Sequence, residues 1–237
     1  MLKILGIVSG WVFILCLPVM LFTASVAWGF NSLWIYKYGF QKFGVSQSTG
    51  IPASELDRTA QGFIGYLNSD TELFQIIVNT GDDTFPLFTA PEQQHLKDVK
   101  GLVWFDYEAL IGTFSFCLIF GLLTGLGAHG RWRRLLAKSL IWGSGLTLLI
   151  LLILTIASLF DFEQLFIQLH YLIFTNLDWS APGYMLKLFG DLWFDAALIC
   201  FAFMAGLALI LGGLGIGYLV RQRNSVRPSL RKDNDAG

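Results

Sequence analysis

The sequence predicts an all-α membrane protein with four transmembrane helices. It further predicts a small α/β outer cap between helices 1 and 2 and an interfacial helical segment between helices 3 and 4. Of the 237 residues, 54% are hydrophobic and only 14% are charged, whereas a soluble domain is about 25% charged. The excess lies in apolar stretches that meet or approach the ~20 residues a helix needs to cross ~30 Å of hydrocarbon. We place the spans at 4–30, 103–127, 137–160 and 195–220.

The basic residues predict the orientation of these spans. Ten of the sixteen Lys and Arg residues flank the spans on one side, namely Lys3, Arg131, Arg133, Arg134, Lys138, Arg221, Arg223, Arg227, Arg231 and Lys232. Because cytoplasmic loops carry an excess of such residues, we expect both termini, the loop 128–136 and the tail 221–237 to be cytoplasmic. The outer segments are then 31–101 and 161–194, and we treat 1–237 as a single integral membrane domain.

The first apolar stretch has an alternative interpretation as a cleaved secretory signal, since Ser25-Val26-Ala27 resembles a cleavage site. Its apolar run exceeds the ~7–15 residues of a signal core. We therefore favour a retained first helix.

The first outer segment contains several short elements, and we expect it to be too short for a large core of its own. The aromatic residues and lysines of 31–43 are typical of a membrane–water interface, and 44–52 has the composition of a flexible linker. Ser54 and Asp57 have capping-box spacing, and apolar residues recur at helical spacing over 54–68. Two β-prone runs follow at 73–78 and 84–89.

A second capping box, Thr89 to Glu92, predicts a helix that begins at Ala90 and carries His95 in its second turn. The second outer segment is rich in aromatic residues. We expect two short helices there, lying in or dipping into the outer leaflet, with a turn at Pro182–Gly183.

Two of the three histidines fall on the outer side. His129 lies in the basic cytoplasmic loop, where a solvated or lipid-headgroup role is expected. His95 and His170 each lie beside an apolar run, and Asp98 shares a helix face with His95. A carboxylate there can fix an imidazole tautomer, which a general base requires. The roles of Asp106, Glu108 and Asp178 stay open, with boundary ion pairs as one interpretation.

Other kinds of site have little support. The spacing of His95, His170, Asp98 and Asp178 matches no metal pattern, so no metal and no cofactor is expected. The three cysteines lie in apolar stretches and form no disulfide framework. The basic residues lie at the cytoplasmic boundary, which excludes nucleic acid as a partner. No obligate protein partner is indicated.

Two outer motifs resemble a family of bacterial integral membrane proteins, the lipoprotein intramolecular transacylases. LFTAPEQQHLKDVK resembles a pattern of Phe, a nearby acid and then His-Leu/Met-x-Asp-Val before the second span. FIQLHYLIFTNLDWSAP resembles the family's Phe-His-x-x-Phe-Phe-x-Asn…Trp, although Leu169 stands where Phe is expected and the Asn-Asp pair is interrupted.

The resemblance implies transfer of the sn-2 acyl chain of a lipoprotein's diacylglyceryl-cysteine to that cysteine's own α-amino group. This would occur at the outer face of the bacterial inner membrane, with the diacylated lipoprotein N-terminus and membrane lipid as partners. His95 and His170 would form the catalytic pair, with His95 expected as base, His170 on the ester side, and the reverse assignment open. Asp98, Asn176 and Trp179 would be the neighbouring motif residues. The tetrahedral oxyanion of such a reaction needs hydrogen-bond donors, for which the candidates are Lys97, Lys100, Tyr66 and Asn176. Two alternatives remain, namely a non-catalytic membrane scaffold or accessory protein and a histidine-dependent lipid or lipoprotein hydrolase.

Overall fold

The computed structural model describes residues 2–81, 83–127, 130–180 and 182–234, which form eight α-helices, one short 3-10 helix and a two-stranded sheet. The elements in order are α1 (Leu2–Phe30), α2 (Leu33–Lys42), α3 (Val45–Thr49), α4 (Ala53–Leu67), β1 (Ile77–Asn79), β2 (Thr84–Pro86), α5 (Ala90–Gly125), α6 (Gly130–Ile173), the 3-10 helix (Asp178–Ser180), α7 (Tyr184–Phe189) and α8 (Leu192–Asn234). His129, expected in the cytoplasmic loop, lies outside the described residues.

Among the described residues, four helices are long and apolar enough to cross a membrane, as predicted. The candidate spans are Gly6–Phe30, Ala90–Gly125, Gly130–Ile173 and Leu192–Asn224. At 1.5 Å per residue, α5 is about 54 Å long, and the part of α6 before its interruption at Asp161 is about 47 Å long, both well beyond the ~30 Å of hydrocarbon. Both helices therefore extend out of the membrane, and each carries one of the two outer histidines.

One compact unit contains Met1–Ala24, Ala109–Leu154 and Ala202–Gly237. Its helices approach closely at glycines, where a Cβ at Gly143 would lie 2.8 Å from Leu17 and one at Gly215 would lie 2.7 Å from the Ala137 carbonyl oxygen. Apolar lipid provides no hydrophobic force between helices, so membrane helices associate through close packing. Small residues permit that packing because they let the helix backbones approach. Within the glycine-rich run 211–219, Gly212 and Gly215 therefore serve close helix packing, whereas a Cβ at Gly213 or Gly217 would meet nothing within 4 Å.

The second compact unit, which we call the outer unit, contains Ser25–Glu108 and Thr155–Phe201 and has an aromatic core. Phe63 of α4 is 2% exposed, and its ring centroid lies 5.7 Å from Phe74 and 5.5 Å from Phe189. Met185 and Leu188 of α7 belong to the same core. The first outer segment is short, but side chains of the second outer segment complete a substantial core with it. Burial of these apolar side chains holds the two segments together.

Two local predictions for the first outer segment were wrong. The expected linker 44–52 contains α3, and Ile51 is fully buried. Ser54 is not the N-cap, because α4 begins at Ala53 after Pro52 and has no side-chain cap. The segment 31–43, for which we expect an interfacial position, contains α2, whose Tyr36 is buried in the core while Trp34 is 49% exposed. Core contacts outweighed local composition at each of these places.

The sheet and the start of α5 follow the predictions more closely. The strands β1 and β2 pair antiparallel, with Val78 opposite Phe85, but each is only three residues long. The helix α5 begins at Ala90, as predicted.

The second outer segment starts within α6, whose helix is interrupted at Asp161 (φ −160°, ψ 84°). The carboxylate of Asp161 accepts a hydrogen bond from the backbone N–H of Gln164 at 2.9 Å, which caps the helix that follows. This last part of α6 exposes apolar side chains such as Leu172 (82% exposed), consistent with the expected interfacial position. The expected turn at Pro182–Gly183 directly precedes α7.

Candidate active site

His95 lies one turn after the capping box at the start of α5. The carboxylate of Glu92 accepts hydrogen bonds from the backbone N–H (2.8 Å) and the hydroxyl (2.9 Å) of Thr89. This is the reciprocal half of a capping box, and it confirms the interaction predicted from the spacing. His95 itself is 6% exposed.

The two outer histidines lie side by side. The ring centroids of His95 and His170 are 6.0 Å apart. Phe174 contacts both rings, at 4.8 Å from His95 and 5.4 Å from His170. Both residues belong to the second compact unit, so α5 and the end of α6 bring the two sequence motifs together in one site.

The hydrogen bond of His170 determines its tautomer. Its Nδ1 lies 2.8 Å from the carbonyl oxygen of Phe166, one turn earlier in α6. A carbonyl oxygen can only accept, so Nδ1 must carry the proton and donate it. In the neutral ring, Nε2 is then the acceptor nitrogen. A hydrogen bond donated by one ring nitrogen fixes the other nitrogen of the imidazole as the basic one.

His95 has a different environment. Its Nδ1 is buried and has no hydrogen-bond partner among the described residues. Burying an unpaired polar atom is costly, and such atoms in a native protein are frequent at sites of chemistry. Burial of the His95 ring therefore costs folding free energy, and packing alone does not explain why it is buried.

Asp98 joins the two outer segments. Its carboxylate accepts hydrogen bonds from the side-chain amides of Gln94 (3.2 Å) and Asn176 (2.9 Å). The amide oxygen of Asn176 in turn accepts the backbone N–H of Asp178 at 3.1 Å. The sequence favours Asp98 as the direct orienting partner of His95, but in the described chain its hydrogen bonds go to these two amides. It thus holds the segment after His170 against α5.

Trp179 packs against the second histidine. Its ring centroid lies 4.9 Å from that of His170, and Tyr171 contacts it edge-on at 5.4 Å. The indole Nε1 is buried and unpaired within the described part of the chain. The site thus contains two buried polar nitrogens without a protein partner there, one on His95 and one on Trp179.

The structure places Lys97, Lys100 and Tyr66 around the loop 69–72. Lys97 forms a 2.6 Å ion pair with Glu72, and this bond lowers the pKa of the Glu72 carboxyl. The ammonium of Lys100 donates to the carbonyl oxygens of Ser69 and Thr71 and lies 4.6 Å from the ring of Tyr66.

The hydroxyl of Tyr66 donates to the Glu72 carbonyl oxygen at 3.1 Å, and burial raises the pKa of this phenol. The polar groups of all three residues therefore already have partners at this loop, and they connect it to α5.

The boundary acids differ in burial. Asp106 is 8% exposed with its Oδ2 unpaired among the described residues, whereas Glu108 is exposed. Within the same residues, no group of three or more His, Cys, Asp or Glu side chains is placed to hold a metal ion.

Sequence reasoning missed one contact of this site. The other carboxylate oxygen of Glu92 accepts the backbone N–H of Met185 at 2.7 Å, and Glu92 is fully buried. The capping-box spacing revealed the local half of this interaction, but no sequence signal indicates its partner 93 residues away.

The fold and the site define a multi-pass integral membrane protein whose two outer motifs meet at a pair of histidines. The model of the family described as "lipoprotein intramolecular transacylase Lit" matches residues 11–181. The chain belongs to this family, whose name describes an acyltransferase acting on lipoproteins.

Solved structures of similar fold bear the same name. The membrane-integral lipoprotein intramolecular transacylase Lit from Bacillus cereus superposes with a TM-score of 0.77 at 18% identity, covering 94% of this chain and 99% of that one. Two variants of that protein, with one histidine replaced by arginine or by alanine, superpose with TM-scores of 0.72 at 18% identity. They cover 94% of this chain and 96% and 97% of theirs. At this identity the likeness shows the fold. A search of curated proteins gives no match.

Proposed function

We propose that this protein moves the sn-2 acyl chain of a lipoprotein's diacylglyceryl-cysteine onto the α-amino group of the same cysteine. The product is an N-acyl, S-monoacylglyceryl lipoprotein, the lyso form. The observation that carries this proposal is the pair of imidazoles 6.0 Å apart in a chain of the lipoprotein intramolecular transacylase family.

The reaction takes place at the outer face of the bacterial inner membrane, with both termini in the cytoplasm. The distribution of basic residues supports this orientation. The exposed apolar end of α6 supports a site at headgroup depth, because Leu172 and Tyr171 present apolar surface next to His170. An amphiphile whose ester and amine lie at the interface would meet the histidines there.

His170 is the general base. The α-ammonium group has an ordinary pKa of about 8, so the free amine is available as the nucleophile, and its nitrogen must lose a further proton as the amide forms. Because Nδ1 of His170 donates to Phe166, Nε2 is free to accept that proton. The hydrogen bond thus favours the reverse of the assignment that the sequence alone suggests.

The bonds and protons balance over two steps. The amine nitrogen attacks the ester carbonyl carbon, an N–C bond forms, and the proton passes from nitrogen to Nε2 of His170. The tetrahedral intermediate then expels the glyceryl C2 oxygen, which takes the same proton and leaves as a hydroxyl. Donor, acceptor and leaving group belong to one molecule, so substrate and product have equal mass.

His95 stabilises the oxyanion of the tetrahedral intermediate. In the neutral tautomer that carries its proton on Nε2, the His95 ring can donate this hydrogen bond. A preorganised donor of this kind contributes about 10²–10³ in rate. The indole N–H of Trp179, unpaired among the described residues, is a second donor beside His170.

The remaining residues hold the reactants in place. Asp98 and Asn176 fix the segment that carries Trp179, and Lys97, Lys100 and Tyr66 fix the loop 69–72 beside α5. Because amine and ester belong to one molecule, the site contributes by holding them in a reactive orientation.

A synthetic diacylated lipopeptide tests this proposal. The purified full-length protein in lipid is incubated with it, and the product is analysed by mass spectrometry and by amine labelling. We expect unchanged mass and a newly blocked α-amine. The loss of one acyl chain would indicate the hydrolase instead, and no reaction would favour the non-catalytic scaffold.

The site assignment is tested with His95→Ala, which should lower the rate of transfer by about 10²–10³-fold. The matched control is Glu163→Gln, an exposed position on the same outer unit. Thermal melting of both variants separates a lost site from a lost fold. A folded His95→Ala protein with full activity would remove His95 from the mechanism.

A further inference from the structure

Glu92 is a buried carboxylate with partners in both outer segments. It is fully buried and lies in the first turn of α5, one turn before His95. One oxygen accepts two hydrogen bonds from Thr89 within the capping box. The other oxygen accepts the backbone N–H of Met185 at 2.7 Å. A capping box needs only the first of these interactions.

The chain around Gly183 runs directly against this carboxylate. A Cβ at Gly183 would lie 2.2 Å from the Oε1 of Glu92 and 2.4 Å from its Cδ. Gly183 has an extended backbone (φ 175°) that any residue can adopt, so the requirement is for space. Met185 lies in the first turn of α7, where a backbone N–H has no partner within its own helix. Glu92 supplies that partner.

We infer that Glu92 is a positioning residue that sets the geometry of the histidine pair by anchoring the second outer segment to the helix of His95. We call residues 174–180 and 182–185 the strap. The strap follows His170 closely and carries Trp179, which packs on the His170 ring. Its two ends are held by carboxylates of α5, since Asn176 donates to Asp98 and Met185 donates to Glu92.

The two carboxylates lie on either side of His95, three residues before it and three residues after it. Helical residues three apart share a face, so both anchors act close to the His95 ring. Removing Glu92 would release the Met185 end of the strap while leaving every histidine in the chain. Because a displacement of about 1 Å can cost about 10²-fold in rate, a residue that touches no substrate can still control turnover.

The turnover measurements for this inference rest on the proposed acyl transfer. With the diacylated lipopeptide as substrate, we expect Glu92→Ala to lower kcat by about 10²-fold with little change in KM. Thr89→Val is the matched control, because it removes a capping hydroxyl but leaves the bond to Met185. It should keep near wild-type kcat. An equal loss in both variants would reduce Glu92 to a helix cap and overturn the inference.

A double variant gives a sharper test. Gly183→Ala alone should lower kcat as far as Glu92→Ala does, because the new methyl group cannot coexist with the carboxylate. In the Glu92→Ala background the same methyl group meets no carboxylate, so the double variant should be no worse than Glu92→Ala. Additive losses would show that the two positions act separately, which would overturn the inference.

Hydrogen exchange tests the anchor independently of turnover. The amide of Met185 should be protected in the wild-type protein and in Glu163→Gln. It should exchange at least about tenfold faster in Glu92→Ala, since it loses the acceptor that Glu92 supplies at the helix start. If the wild-type protein does not transfer acyl chains, the proposed function fails while this measurement still decides the inference. Equal protection of the Met185 amide in all three proteins would refute the anchor.

Discussion

The strongest mechanistic prediction concerns His170, because one hydrogen bond fixes its tautomer. Replacing it with Asn keeps a side-chain N–H close to the position of Nδ1, which can still donate to the Phe166 carbonyl oxygen. The replacement removes Nε2 and with it the acceptor for the amine proton. His170 is only partly buried, so we expect the outer unit to fold unchanged.

The size of the effect follows from the role assigned to the lost atom. A positioned general base contributes about 10²–10⁴ in rate, which corresponds to about 2.7–5.4 kcal/mol at 1.36 kcal/mol per tenfold. Loss of the hydrogen bond alone would cost about 0.5–1.5 kcal/mol, and the Asn variant should avoid most of that. We therefore expect kcat to fall by about 10²–10⁴-fold while the melting temperature stays almost unchanged.

The assay follows acylation of the lipopeptide amine by mass spectrometry as a function of substrate concentration. Gln168→Ala, at an exposed position on the same helical stretch, is the control and should keep wild-type kcat. Substrate binding should survive in His170→Asn. A folded His170→Asn protein with kcat within about threefold of the wild type would refute the assignment of the base, because a general base contributes far more than that.

Two further pairs of substitutions test the hydrogen bond between Asn176 and Asp98 and the aromatic core around Phe63. Asn176→Leu removes the hydrogen bond to Asp98, which is worth about 1.5–3 kcal/mol. Asn176→Asp should lower kcat further, because repulsion between two carboxylates adds to the loss of that bond. Equal activity of Asn176→Asp and the wild type would contradict a role for this hydrogen bond. Phe63→Ala should destabilise the outer unit by about 3–5 kcal/mol, because it empties the centre of the aromatic core. Ile77→Ala, at a 59% exposed position, should cost under about 0.5 kcal/mol in the same melting experiment, and comparable losses would argue against the Phe63 core.

The four spans were predictable because they depend on length and composition alone. A continuous apolar run must satisfy its backbone internally in lipid, and a helix does this regardless of its neighbours. The start of α5 was predictable for a similar reason. The capping bonds between Thr89 and Glu92 close within one turn, so their spacing in the sequence is their spacing in space.

The outer unit was less predictable because its elements depend on contacts between distant segments. The segment around Ile51 has the composition of a linker, yet Ile51 is fully buried in a core that Leu188 and Phe189 complete. Local composition cannot show that the second outer segment supplies those side chains. Ser54 likewise had a sound local signal, but α4 begins one residue before it.

For the candidate site, the sequence determined which side chains were available, and the tertiary structure decided what each one does. The amino-acid sequence alone identifies two outer histidines within two motifs, together with the capping box ahead of His95. Only the fold places His95 beside His170 and engages Lys97 with Glu72. Only the fold brings the second oxygen of Glu92 to Met185. The physical reason is that a spacing along a helix specifies neighbours within one turn, whereas a hydrogen bond across 93 residues exists only once both segments share a core.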